Sequence, residues 1–141
     1  MKHKYIFLFF ILFATNVYSQ TNSETIKLRA FKSTIFSKSL QENTGWVDAN
    51  ILIVFDFTDN NLNKVRIYAE KNIKYDIVNY IKDFKDKNNI SWFVYKGIND
   101  SGEEYTIEWG MFSDFSQKQV GTLRLYNQKG LGFIYHLKLN E

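Results

Sequence analysis

Short alternations of apolar and polar residues run through most of this chain. Between Glu104 and Phe112, Tyr105, Ile107, Trp109 and Met111 take one phase, while Glu104, Thr106, Glu108 and Gly110 take the other. A two-residue period places each set on its own face of an extended strand. Gly121 to Asn127 sets Leu123 and Leu125 against Thr122, Arg124 and Tyr126. Gly132 to Leu139 sets Phe133, Tyr135, Leu137 and Leu139 against Ile134, His136 and Lys138, and Lys64 to Glu70 sets Val65, Ile67 and Ala69 against Arg66 and Tyr68. Ile51 to Phe57 is nearly all apolar, as expected of a strand buried on both faces or placed inside a closed barrel. Thr25 to Phe36 alternates and then slips phase near Phe31, which predicts a bulge. Ile90 to Gly97 is rich in aromatic and β-branched residues and reads as a further strand.

One stretch fits two periods. Ile73, Tyr75 and Ile77 suit a strand, whereas Ile77, Tyr80, Ile81 and Phe84 fall at helical spacing. A strand running into a short helical turn is the expectation for Ile73 to Phe84.

The connections are short and rich in residues that tolerate positive φ or bond their own backbone: Asp59-Asn60-Asn61, Asn99-Asp100-Ser101-Gly102 and Gln128-Lys129-Gly130. Ser37 to Asn50 is a longer loop carrying Trp46. Seven or eight strands joined locally predict an all-β antiparallel meander, forming a small barrel or a strongly curled sheet.

The first nineteen residues do not belong to this pattern. Lys2 and Lys4 precede the unbroken apolar run Tyr5 to Ala14, and Val17-Tyr18-Ser19 offers a cleavage site before Gln20. This is the layout of a secretory signal peptide. Ten helical residues reach only about 15 Å, roughly half a bilayer's hydrocarbon core, so stable membrane insertion after cleavage is not expected. Residues 1–19 read as the signal and 20–141 as one domain, exported to the periplasm or beyond.

Composition narrows the chemistry. The absence of cysteine removes disulfides, thiolate metal sites, cysteine nucleophiles and a lipoprotein anchor. The net charge of +3 falls to +1 once Lys2 and Lys4 leave, and the lysines lie among acids, as in Lys82-Asp83-Phe84-Lys85-Asp86-Lys87. That run reads as a solvated turn or short helical segment, and nucleic acid is not an expected partner.

Few residues offer catalysis. His136 is the only histidine of the exported chain, lies on the polar phase and supports no multi-histidine metal centre. Asp56, Asp59, Asn60 and Asn61 lack the ordered spacing of a calcium loop and read as a hairpin turn. Glu103, Glu104, Glu108 and Asp114 could supply a glycosidase's two carboxylates. However, Glu104 and Glu108 stand roughly 13 Å apart along one strand face at 3.3 Å per residue, beyond the reach either mechanism needs. No cofactor, metal site or catalytic set is expected. Aromatic residues remain: Tyr68, Tyr126 and Tyr95 fall on or near the polar phase, and Trp46 sits in the long loop. There, rings can stack on sugars or anchor a partner, or simply pair across strands.

Trp46, Ile51 to Asp56, Asn63 to Tyr68 and Tyr75 to Val78, together with Val120 to Asn127 and Gly132 to Leu137, resemble a family of small exported proteins of Bacteroidetes. The resemblance covers most of residues 20–141. It implies export and a β-rich, lipocalin-like (calycin-like) domain, and it brings no assigned activity or site.

The leading expectation is a non-enzymatic exported binding protein. Its ligand would be a small apolar molecule in the barrel mouth, or a sugar or protein met by Tyr68, Tyr95, Tyr126 or Trp46. A structural or interaction protein of the cell envelope is the first alternative. A hydrolase using Glu104, Glu108 or Asp114 is the second.

Overall fold

The computed structural model describes residues 22–38, 42–43, 45–113 and 118–140. The segment read as a signal peptide and Asp114 lie outside the described residues. The strands are β1 (Ser23–Ser37), β2 (Glu42–Asn43), β3 (Val47–Thr58), β4 (Asn61–Tyr68), β5 (Asn72–Lys85), β6 (Ser91–Asn99), β7 (Glu104–Met111), β8 (Gly121–Asn127) and β9 (Leu131–Leu139). Each of β3 to β8 pairs antiparallel with the next, β1 pairs with β3, and β1 also pairs with β9. Eight strands thus close into a barrel by meander, with the two-residue β2 hydrogen-bonded outside the ring to the end of β1. Among the described residues there is no helix.

The alternations set the faces as their period requires. Ile107, Trp109, Leu123, Leu125 and Leu137 are buried in one cluster with Ile53, Phe55, Val65 and Ile67. Glu108 and Arg124 face outward, where they form an ion pair at 3.1 Å. The bulge falls at Phe31, where the registers of β1 with both β3 and β9 shift between Ala30 and Lys32. Asp59 and Asn60 take positive φ (51° and 66°) between the paired residues Thr58 and Asn61, the geometry of a two-residue hairpin turn. The loop after β1 is shorter than expected, since Val47 to Asn50 already belong to β3.

The helical turn expected near Phe84 is absent: β5 stays extended to Lys85. Two bulges produced the misleading spacing. The β5–β6 register shifts between Ile77 and Asn79 and again between Tyr80 and Lys82, so each bulge adds one residue to the period of two. Ile77, Tyr80 and Asp83 pair with Gly97, Tyr95 and Phe93 and share the inward face at intervals of three. A twice-bulged strand therefore mimics a helical stripe. The charged run that follows ends in a turn held by Asp86, whose carboxylate accepts the backbone N–H groups of Asn88 and Ile90 and the indole N–H of Trp92.

The mid-barrel is filled. β3 and β7 stand four strands apart in either direction round the ring, yet Phe55 and Trp109 stack at 4.0 Å with an 11° tilt. Two rings in contact across the full diameter leave no channel at that level. Towards the end bearing the β4–β5, β6–β7 and β8–β9 turns, Tyr75 meets Tyr105 edge-on at 5.0 Å. Burial pushes the Tyr135 hydroxyl up to about 12 and raises that of Tyr75 as well.

A second, outer cluster lies on the far side of the wall. Phe36, Tyr126 and Ile134 are buried together, and the Arg124 guanidinium lies 5.3 Å from the Phe36 ring and 5.1 Å from that of Trp92. Two glycines make this layer possible. Trp92 covers Gly110, where a Cβ would meet the indole at 2.8 Å, and Gly132 pairs with both Phe36 and Tyr126, whose rings approach to 6.0 Å.

Candidate functional site

The barrel wall is not continuous. The β4–β5 ladder runs from Tyr68↔Asn72 to Lys64↔Asp76 and stops there. Beyond Asp76, β5 pairs only with β6 among the described residues, so one edge of its last nine residues carries no ladder. The β3–β4 turn and the bulged half of β5 diverge, and a cleft of about 510 Å³ lies between them. Its apolar walls are Leu62, Ile77, Val78, Phe93, Tyr80 and Tyr95, and its polar groups are Asn60, Asn61, Asn79 and Asp83. The volume suits a small ligand, and apolar walls with a few polar groups are the usual lining of such sites.

Each element places its residue for a local reason. Phe93 and Tyr95 lie two apart on the inward face of β6, while the bulges at Val78 and Ile81 turn Tyr80 and Asp83 inward to oppose them. The Tyr80 and Tyr95 rings meet at 5.8 Å and 67°, making a corner. Tyr95 is 9% exposed and Tyr80 is 52% exposed. Burial raises the pKa of both hydroxyls, with the Asp83 carboxylate beside Tyr80 adding to its rise.

Of the four rings singled out from sequence, only Tyr95 reaches this cleft, and it does so from the inward face rather than the polar phase. The alternation is hidden along β6 because Trp92 and Val94, on the opposite face, are apolar and buried as well. Tyr68 does face outward, 38% exposed, with its hydroxyl accepting from Arg66 at 2.6 Å while Arg66 holds Asp56 through two bonds. Tyr126 faces outward but is only 7% exposed, because Phe36 and Lys38 cover it. Trp46 stacks on His136 at 3.9 Å. The four lie in four separate places. Tyr80, Phe93 and Asp83 were missed, since their convergence depends on where a ladder ends and on two bulges.

His136 faces outward, as its phase requires, yet Trp46 half-buries it. Burial, followed by the nearby Lys32 charge, lowers its pKa below the ordinary 6.5. A lowered histidine value means that the unfolded chain binds the proton more readily. His136 is therefore expected to contribute stability above pH 6.5 and to lose it as pH falls through the folded value. Titration of the His136 ring by NMR, alongside denaturation at stepped pH, checks this; a ring midpoint above 6.5 refutes it.

The carboxylates considered for hydrolysis are engaged elsewhere. Lys96 at 2.6 Å holds Glu104 below the usual carboxylate range, and Glu108 accepts from Arg124. Both lie on the outer face. Among the described residues no group of three acidic or histidine side chains is placed to hold a metal. A second open groove, about 370 Å³, lies between the β6–β7 and β8–β9 turns; its walls, including Glu103, Gln128 and Lys129, are polar turn residues with no aromatic surface. No family model, no curated protein and no solved structure matches the chain.

Proposed function

We propose that this is an exported, non-enzymatic binding protein that takes a small molecule in the cleft between β4 and β5. The observation that carries the reading is the interrupted wall. The β4–β5 ladder stops at Asp76 and, among the described residues, leaves nine residues of β5 without a neighbour on that side, and the opening is lined by aromatic rings and side-chain amides. The Phe55–Trp109 stack argues against a ligand held deeper, so the site is the barrel end and its split. The pairing of Glu104 and Glu108 with separate cations supports a binding role over hydrolysis.

The test is an NMR titration of the purified protein with a panel of small sugars, amines, carboxylates and apolar compounds. Saturable shifts confined to Asn60, Ile77, Asn79, Asp83 and Tyr95 are expected for at least one class. A panel that moves no cleft resonance at millimolar concentration defeats the reading.

A second reading has its own observation. Val78, Ile81 and Phe84 are exposed on the half of β5 that lacks a neighbour on one edge. Open edges accept a further strand, so an envelope partner could add one there. Native mass spectrometry with envelope extract, repeated on Ile81→Lys, separates the two readings: a complex lost in the variant favours the edge.

A further inference from the structure

We propose that the ligand of the β4–β5 cleft is a small organic cation, recognised through an alkylated ammonium group; this rests on the cleft being the binding site. Three features of the lining point the same way. First, the aromatic surfaces form a corner rather than a platform, with Tyr80 and Tyr95 crossing at 67° and Phe93 two residues from Tyr95 on the same face. A flat ring platform suits the face of a sugar, whereas walls set at an angle surround a compact charge with the electron-rich faces of several rings. Second, the charged side chain of the lining is a carboxylate, Asp83, and among the described residues it forms no ion pair. Third, among the described residues no lysine, arginine or histidine lines the cleft. The neighbouring Lys82 lies on the outer phase opposite Val94, with its ammonium 5.5 Å from the Phe84 ring. An anionic ligand would meet the Asp83 carboxylate with no cation of the described lining beside it.

The arrangement assigns roles. Asp83 supplies the counter-charge, Tyr80 and Tyr95 the two walls, and Phe93 the floor.

Choline and its uncharged carbon isostere 3,3-dimethyl-1-butanol differ in the charge of one atom, so they isolate the cation. The experiment titrates each, and glucose, into the purified protein while following the cleft resonances. Choline is expected to bind at least roughly tenfold more tightly than the isostere. Tyr80→Leu is expected to weaken choline roughly fivefold and Tyr80→Phe less, since the phenylalanine keeps the ring face that carries the attraction. Asp83→Asn is expected to weaken choline and leave the isostere unaffected, which also shows the variant folded. Equal binding of choline and isostere, or shifts from glucose alone, overturns the cation while leaving the cleft as a site. Silence from all three probes together with the whole earlier panel overturns both.

Discussion

Replacing Trp109 by alanine is expected to remove about 3–5 kcal/mol of folding stability, the range for truncating a large buried ring. The ring does more than fill volume. It stacks on Phe55 at 4.0 Å and lies 6.0 Å from Phe57, so it ties β7 to the opposite wall. Ile53, Val65, Ile107 and Leu123 around it are fully buried and held by complete ladders, so the strands cannot collapse into the gap. Since domains of this size are stable by only about 5–15 kcal/mol, the melting temperature should fall by roughly 10–20 °C. Trp109→Phe keeps a ring against Phe55 and should cost less than half as much. Guanidinium denaturation followed by circular dichroism measures both; a loss below about 1 kcal/mol for the alanine variant would mean that the cross-barrel stack is not holding the walls together.

Gly132→Ala is the second large effect, although it adds a single methyl group on the outer face. At Gly132 the position of a Cβ overlaps the Leu125 carbonyl, and the next nearest atoms are also backbone. No rotamer change relieves that contact; the β8–β9 ladder itself has to move. The shift would also part Phe36 from Tyr126, which meet above the glycine. A loss of roughly 3 kcal/mol is expected, at the upper end for overpacking. Gly110→Ala offers the comparison, because the added methyl there meets the Trp92 indole, a side chain able to tilt. It should be the milder variant. Equal midpoints for Gly132→Ala and the unsubstituted protein in the same denaturation series would refute the argument.

The barrel could be read from sequence because most of its strands turn alternate residues to a common core, and that burial writes itself as alternation. Even the bulge at Phe31 was visible as a slipped phase. Legibility ended where the local pattern no longer determines the neighbour. Tyr126 lies on the polar phase, yet Phe36, from a strand nearly a hundred residues away, covers it. Along β5 the two bulges imitated a helical stripe. The cleft itself was not legible at all, since it arises where the β4–β5 ladder stops after Asp76, and the end of a ladder is a property of two strands together.

The joining of β1 to β9 has a kinetic meaning. Arg29 and Asn140, which bond at 3.1 Å across that junction, are 111 positions apart in the chain. Every other pairing in the ring is between neighbours and can form as the chain emerges, but this last one must wait for the final strand. The slow step in folding is then expected to be a loop closure of nearly the whole polypeptide. Until it happens, the nascent protein is an open ribbon with two bare margins, the state most exposed to aggregation.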